Sequence, residues 1–144
     1  MQSKLCRFEL GFSMAEIATP YERIGGEPAV RKLCHTFYKI MCETPQTEVI
    51  RGLHPQNIQI SEDKLFMFLS GWLGGPSLYI EKYGHPRLRA RHLPFSIGIE
   101  ERDQWLYCMA QALKTMDLDP LFAEQLMSSF AQTADFMRNR QESE

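Results

Sequence analysis

The chain has few cysteines, and none is placed for chemistry. Cys6, Cys34, Cys42 and Cys108 include no Cys-x-x-Cys pair, which argues against a zinc ligand set and against a redox dithiol. Long apolar runs are missing too. The longest uncharged stretch, Leu65 to Ile80, is broken by Gly74-Gly75-Pro76 and falls short of the roughly 20 apolar residues that span a bilayer. Arg7 and Glu9 interrupt the amino-terminal region, so no secretory leader is visible and a cytoplasmic location with reduced thiols is expected. An excess of positive charge is also absent. Sixteen Lys and Arg against 18 Asp and Glu give a net charge of -2, which speaks against nucleic acid as a partner. No alternating strand pattern, repeat or low-complexity tract competes with helix.

What is present is enough for one core: 144 residues, 44% of them hydrophobic, the size of a single domain. Residues 1–18 read as an extension, 19–140 as the domain and 141–144 as a polar tail. Thr19, Pro20 and Glu22 form a capping box for a short helix stopped by Gly25-Gly26. Val30, Leu33, Cys34, Phe37 and Met41 then follow helical spacing up to Thr44. One or two turns are expected over 47–53, a loop over 56–60, and a helix from Glu62 to Leu73 with Ser61 as its cap. That helix is apolar around most of its circumference and is expected to lie deep. Ile99 to Met116 gives another helix. Asp119 and Pro120 cap a last one through Met137. The expected architecture is all-α, with four longer helices and short ones between them.

The tract from Tyr83 to Phe95 carries two of the four histidines and three arginines between prolines. Pro86 can open a short helix and Pro94 end it, which puts His92 in its last turn. Arg87 and Arg91 would then share a face at helical spacing, close enough to grip paired carboxylates. Haem propionates are such a pair, and an imidazole fixed beside them suits an axial ligand. With no Cys-x-x-Cys-His, such a haem would be held non-covalently. A solvated basic helix explains the same tract equally well. Elsewhere Phe37, Leu65, Phe68 and Leu88 supply flat apolar walls that are also ordinary core residues. Tyr38, His54 and Trp105 place polar tips in otherwise apolar surroundings, where a backbone acceptor would satisfy any one of them.

Taken with Tyr21 to Gly26, Phe37-Tyr38, Met67-Phe68-Leu69, Gly84-His85-Pro86-Arg87-Leu88-Arg89, Pro94-Phe95 and Glu101-Arg102-Asp103 ahead of Trp105, the chain resembles the group II (O-type) truncated haemoglobins from about Pro20 to Arg138. The resemblance implies a two-over-two helical sandwich around haem b. It makes His92 the iron ligand, with the Leu88 carbonyl fixing its ring. Arg87, Arg91, Tyr79 and Lys64 become propionate partners, Arg91 foremost. Phe37, Ser61, Leu65, Phe68, Leu88, Phe95, Ile97 and Trp105 become pocket residues, Ser61 at the distal entrance. Tyr38, His54 and Trp105 become hydrogen-bonding groups toward the ligand. His54 stands at a corner where the family more often carries Tyr or Phe, so its protonation is expected to matter. The implied function is reversible binding of dioxygen, carbon monoxide and nitric oxide, by a monomer or homodimer. An alternative is nitric oxide dioxygenase or weak peroxidase activity with an external reductase, since no flavin or nicotinamide fingerprint is present. His85 is expected near the surface.

Overall fold

A computed structural model describes residues 18–140. Cys6, nearly all of the expected extension and the expected tail over 141–144 lie outside the described residues. The described residues are helical throughout, with no strand: α1 Pro20–Ile24, α2 Gly26–Glu43, a 3-10 turn at Pro45–Thr47, α3 Glu48–Gly52, α4 Ile58–Trp72, α5 Leu78–Tyr83, α6 Leu88–His92, α7 Ile99–Lys114 and α8 Pro120–Phe136. Among the described residues no helix is long and apolar enough to cross a membrane.

Capping sets most boundaries. At α1 the Thr19 hydroxyl accepts from the Glu22 N–H while the Glu22 carboxylate accepts from the Thr19 N–H, each at 3.1 Å. Asp119 accepts from the Phe122 N–H at 3.1 Å and Pro120 occupies the first turn of α8. The expected cap at Ser61 is corrected. Asn57 accepts from the Gln59 N–H, so α4 starts at Ile58 and the expected loop is partly helix. An Asn side chain reaches the N–H two residues on without strain, and Ser61 becomes an interior position of the first turns.

The four long helices form two layers, with α2 packed on α4 and on α7, and α7 packed on α8. Val30, Leu33, Cys34, Phe37 and Met41 of α2 meet Phe66 and Leu69 of α4, Cys108, Met109, Ala112 and Leu113 of α7, and Phe122, Leu126 and Phe130 of α8. Burial pushes the Cys34 thiol up to about 12, with Glu62 adding to it, and burial likewise pushes Cys108 up to about 11. Both are therefore neutral core thiols. The turn after α4 is drawn tight beneath α1: the Tyr21 N–H donates to Leu73 O at 2.8 Å, and a Cβ on Gly75 would stand 2.5 Å from the Tyr21 ring. Only glycine fits there. The apolar circumference of α4 has a different use from deep burial. Phe66 and Leu69 enter the core, whereas Leu65, Phe68 and Trp72 are half-buried and face a cavity.

Candidate functional site

The cavity measures about 550 Å³, within the range of sites that enclose a small organic molecule or cofactor. Leu65, Phe68, Leu69 and Trp72 of α4 form its apolar wall, with Leu88, Phe95, Ile97 and Phe130. Trp72 and Phe130 stack with centroids 4.6 Å apart, and Trp105 leans on Phe130 at 5.8 Å and on Phe37 at 5.1 Å. Among the described residues no cluster of His, Cys, Asp and Glu is arranged to hold a bare metal ion.

His92 lies on this cavity at the end of α6. Its Nδ1 donates to the Leu88 carbonyl at 2.6 Å, which fixes the ring and leaves Nε2 as its one free nitrogen. The start of α6 differs from the expected opening at Pro86. Arg87 has φ 47° and ψ 54° and stands ahead of the first helical residue. Left-handed backbone cannot be part of a right-handed turn, so Arg87 and Arg91 do not share a helical face. Arg87 is exposed and away from the cavity. Arg91 does line it. Its guanidinium also donates from Nε to Pro86 O and from Nη2 to Tyr83 O at 3.4 Å and His85 O at 3.3 Å, lying 5.5 Å from the Tyr79 ring centroid. Lys64 lies 5.6 Å from the Tyr83 ring centroid, and Lys64 and Tyr79 both line the cavity. His85 is exposed and accepts the Arg87 N–H through Nδ1.

Three polar groups enter from other elements. Tyr38 of α2 is 5% exposed, edge-on to Phe37 with centroids 4.8 Å apart. Burial pushes its phenol well above the ordinary value, so it stays a neutral donor. Trp105 of α7 presents an indole. Among the described residues no hydrogen bond ties the Tyr38 hydroxyl or the Trp105 Nε1 to the protein, and both residues line the cavity. His54 occupies the corner between α3 and α4. Arg51 staples that corner, donating to the carbonyls of His54, Pro55 and Gln56 at 3.4, 3.1 and 3.1 Å. The His54 Nδ1 donates to Ile50 O at 2.9 Å. Burial lowers the His54 pKa, Arg51 and His92 lowering it further against the Ile50 hydrogen bond. With Nδ1 committed to Ile50 O, the neutral ring presents Nε2 as an acceptor.

Phe37, expected as a pocket wall, is fully buried behind Tyr38 and Trp105 and does not line the cavity. Adjacent residues on a helix point about 100° apart, so Tyr38 takes the cavity and Phe37 the core. Ser61, Leu65, Phe68, Leu88, Phe95 and Ile97 all line it. Sequence reasoning missed Ile60, Glu101, Arg102, Thr133, Ala134 and Met137, which also do. Arg102 is held by Asp103 and Asp135, raising its guanidinium pKa and lowering that of Asp135. The acidic and basic residues of Glu101-Arg102-Asp103 were visible, but their approach to α8 is tertiary and has no local signature.

The profile of the bacterial-like globins matches residues 19–139. The chain is 40% identical over 125 residues to the group 2 truncated haemoglobin YjbI of Bacillus subtilis, covering 87% of this chain and 92% of that protein. Its fold superposes on the group II 2-on-2 haemoglobin of Agrobacterium tumefaciens with a TM-score of 0.83 at 35% identity, covering 98% of this chain and all of that one. A structure described as a truncated oxygen-avid haemoglobin from Bacillus subtilis superposes with a TM-score of 0.76 at 40% identity, covering 85% of this chain and all of the other.

Proposed function

This chain belongs to the bacterial-like globins, as a group II truncated haemoglobin with the two-over-two helical fold, and from that premise we propose that it holds haem b through His92 and reversibly binds dioxygen, carbon monoxide and nitric oxide. Haem, when bound, supplies an iron with one open side for a diatomic ligand. The cavity fits such a group. Its walls are apolar, an imidazole with one uncommitted nitrogen stands on it, and Lys64 and Arg91 supply cations for two propionates. Leu88 O holds His92 in the tautomer whose Nε2 carries a lone pair, and Leu65, Phe68 and Trp72 supply apolar surface beside it.

The observation that carries the ligand reading is the pair of uncommitted donors, the Tyr38 hydroxyl and the Trp105 indole, on the cavity surface. Held dioxygen draws negative charge, and each donor that reaches it stabilises it by about 1 to 3 kcal/mol. Two such donors slow release, which suits retention rather than delivery. The oxygen-avid description of the Bacillus subtilis structure supports this direction. His54 adds an acceptor near neutral pH and becomes a donor only once protonated.

A purified sample tests the reading. An intense Soret band that shifts on adding carbon monoxide is expected, and a colourless protein that takes up no added haem refutes it. Mixing the oxygenated protein with nitric oxide and a reductant reads the enzymatic alternative. Many turnovers to nitrate would make the protein a dioxygenase, and a single turnover leaves it a binder.

A further inference from the structure

The helix that carries His92 is tied on its N-terminal side by Arg91, through the carbonyls of Tyr83, His85 and Pro86. It is five residues long and none of them is buried, far below the length at which a helix is stable alone. Its C-terminal side is held by a residue 47 positions later in sequence. Asn139 donates from Nδ2 to the His92 carbonyl at 3.1 Å, an oxygen that also accepts the Phe95 N–H at 3.0 Å. The same side chain accepts the Ile97 N–H on Oδ1 at 2.9 Å, while the Asn139 N–H donates back to Ile97 O at 2.9 Å. One amide thus satisfies both the turn after α6 and the His92 carbonyl. The segment bearing Asn139 is anchored in turn. Met137 is buried beside the cavity, and Arg140 pairs with the buried Glu101 of α7 at 3.1 Å.

We propose that Asn139 is the positioning residue for the His92 imidazole, holding its backbone from the segment that follows α8 so that Nε2 stands at a set depth in the cavity. The proposal rests on His92 being the haem ligand. The Leu88 bond fixes the ring only relative to α6 itself, and Arg91 ties α6 only to the segment just before it, whereas Asn139 holds the His92 end from a distant part of the chain. A purely structural role, tying the segment after α8 to Ile97, requires only Oδ1 and the backbone. The His92 role requires Nδ2. Asn139→Asp separates them, keeping an acceptor for Ile97 and removing the donor to His92.

The test uses the haem-loaded full chain as wild type, Asn139→Asp and Asn139→Ala. Haem transfer to apomyoglobin gives the loss rate, resonance Raman of the ferrous form gives the iron–imidazole stretch, and hydrogen exchange of the haem-free proteins gives the protection of the Ile97 amide. In Asn139→Asp we expect Ile97 protection near wild type, haem loss roughly two- to tenfold faster, as one hydrogen bond allows, and a shifted or broadened stretch. Haem loss within twofold together with an unmoved stretch overturns the proposal. If Asn139→Asp also loses Ile97 protection, the stretch decides in both variants, and an unmoved band overturns it. A wild type that binds no haem overturns the function reading and this proposal with it, whereas a wild type with His92-bound haem and unmoved variants overturns this proposal alone.

Discussion

Tyr38→Phe removes one oxygen atom and leaves every ring contact in place. The ring is nearly fully buried, edge-on to Phe37 at 4.8 Å and to His54 at 5.6 Å, and phenylalanine keeps both. Among the described residues the hydroxyl has no protein partner to orphan. The haem-free protein is therefore expected to melt within about 1 kcal/mol of wild type, because the substitution breaks no bond within the protein. Ligand release is expected to move far more. Loss of a donor worth about 1 to 3 kcal/mol corresponds to dioxygen leaving roughly five- to a hundredfold faster, at 1.4 kcal/mol per decade. Burial keeps the phenol protonated, so the acceleration is expected to be the same at pH 6 and pH 8. Stopped-flow displacement of dioxygen by carbon monoxide measures the rate. A rate within twofold of wild type refutes the donor argument, and a loss of several kcal/mol in the apoprotein shows that the hydroxyl is structural instead.

His92→Ala removes the only free imidazole nitrogen supplied by α6; the ferrous spectrum is expected to lose its five-coordinate form and haem to wash out on gel filtration, and an unchanged spectrum refutes the assignment. His54 titrates lower in the folded chain than its ordinary 6.5, so below that value the unfolded chain binds a proton that the folded one refuses. Apoprotein stability is expected to fall as pH drops from about 6.5 toward the folded pKa and to be insensitive to His54 above it; urea titrations that show the same pH slope in His54→Phe would refute this. Phe37→Ala opens a hole in a fully buried site, and a loss of about 3 to 5 kcal/mol is expected in chemical denaturation, with a loss below 1 kcal/mol contradicting its placement in the core.

Residue type carried the fold where local chemistry decides it. Thr19 and Glu22, and Asp119 with Pro120, mark helix starts because their side chains bond within the next turn. The stripe of α2 likewise faces the core at the spacing read from its apolar residues. The reading failed where two local solutions compete. Asn57 and Ser61 both suit a cap, and the structure uses Asn57. Nothing in an arginine signals a left-handed backbone, and Arg87 delays the start of α6 from Pro86 to Leu88. In the candidate site, Tyr38, His54 and Trp105 were legible as polar tips among apolar neighbours. The tautomer of His54 was not, because it depends on the Ile50 carbonyl one turn back. Arg102 with Asp135, and Asn139 with His92, join residues far apart in sequence, and no spacing rule announces them.

The staple at the α3–α4 corner gives position 54 an unusual freedom. Arg51 grips three consecutive backbone carbonyls there, and none of those bonds involves the side chain of residue 54. The turn is held by this clamp, and the His54 ring adds one bond of its own, from Nδ1 to Ile50 O. Tyrosine or phenylalanine at position 54 would give up that bond and keep the Arg51 clamp, changing what the corner presents to the cavity from an acceptor to a donor or to neither. A lineage can thus change the polarity of the cavity at this corner by single substitutions while the clamp stays in place, whereas at Trp105 the polar tip belongs to a ring that also packs on Phe37 and Phe130.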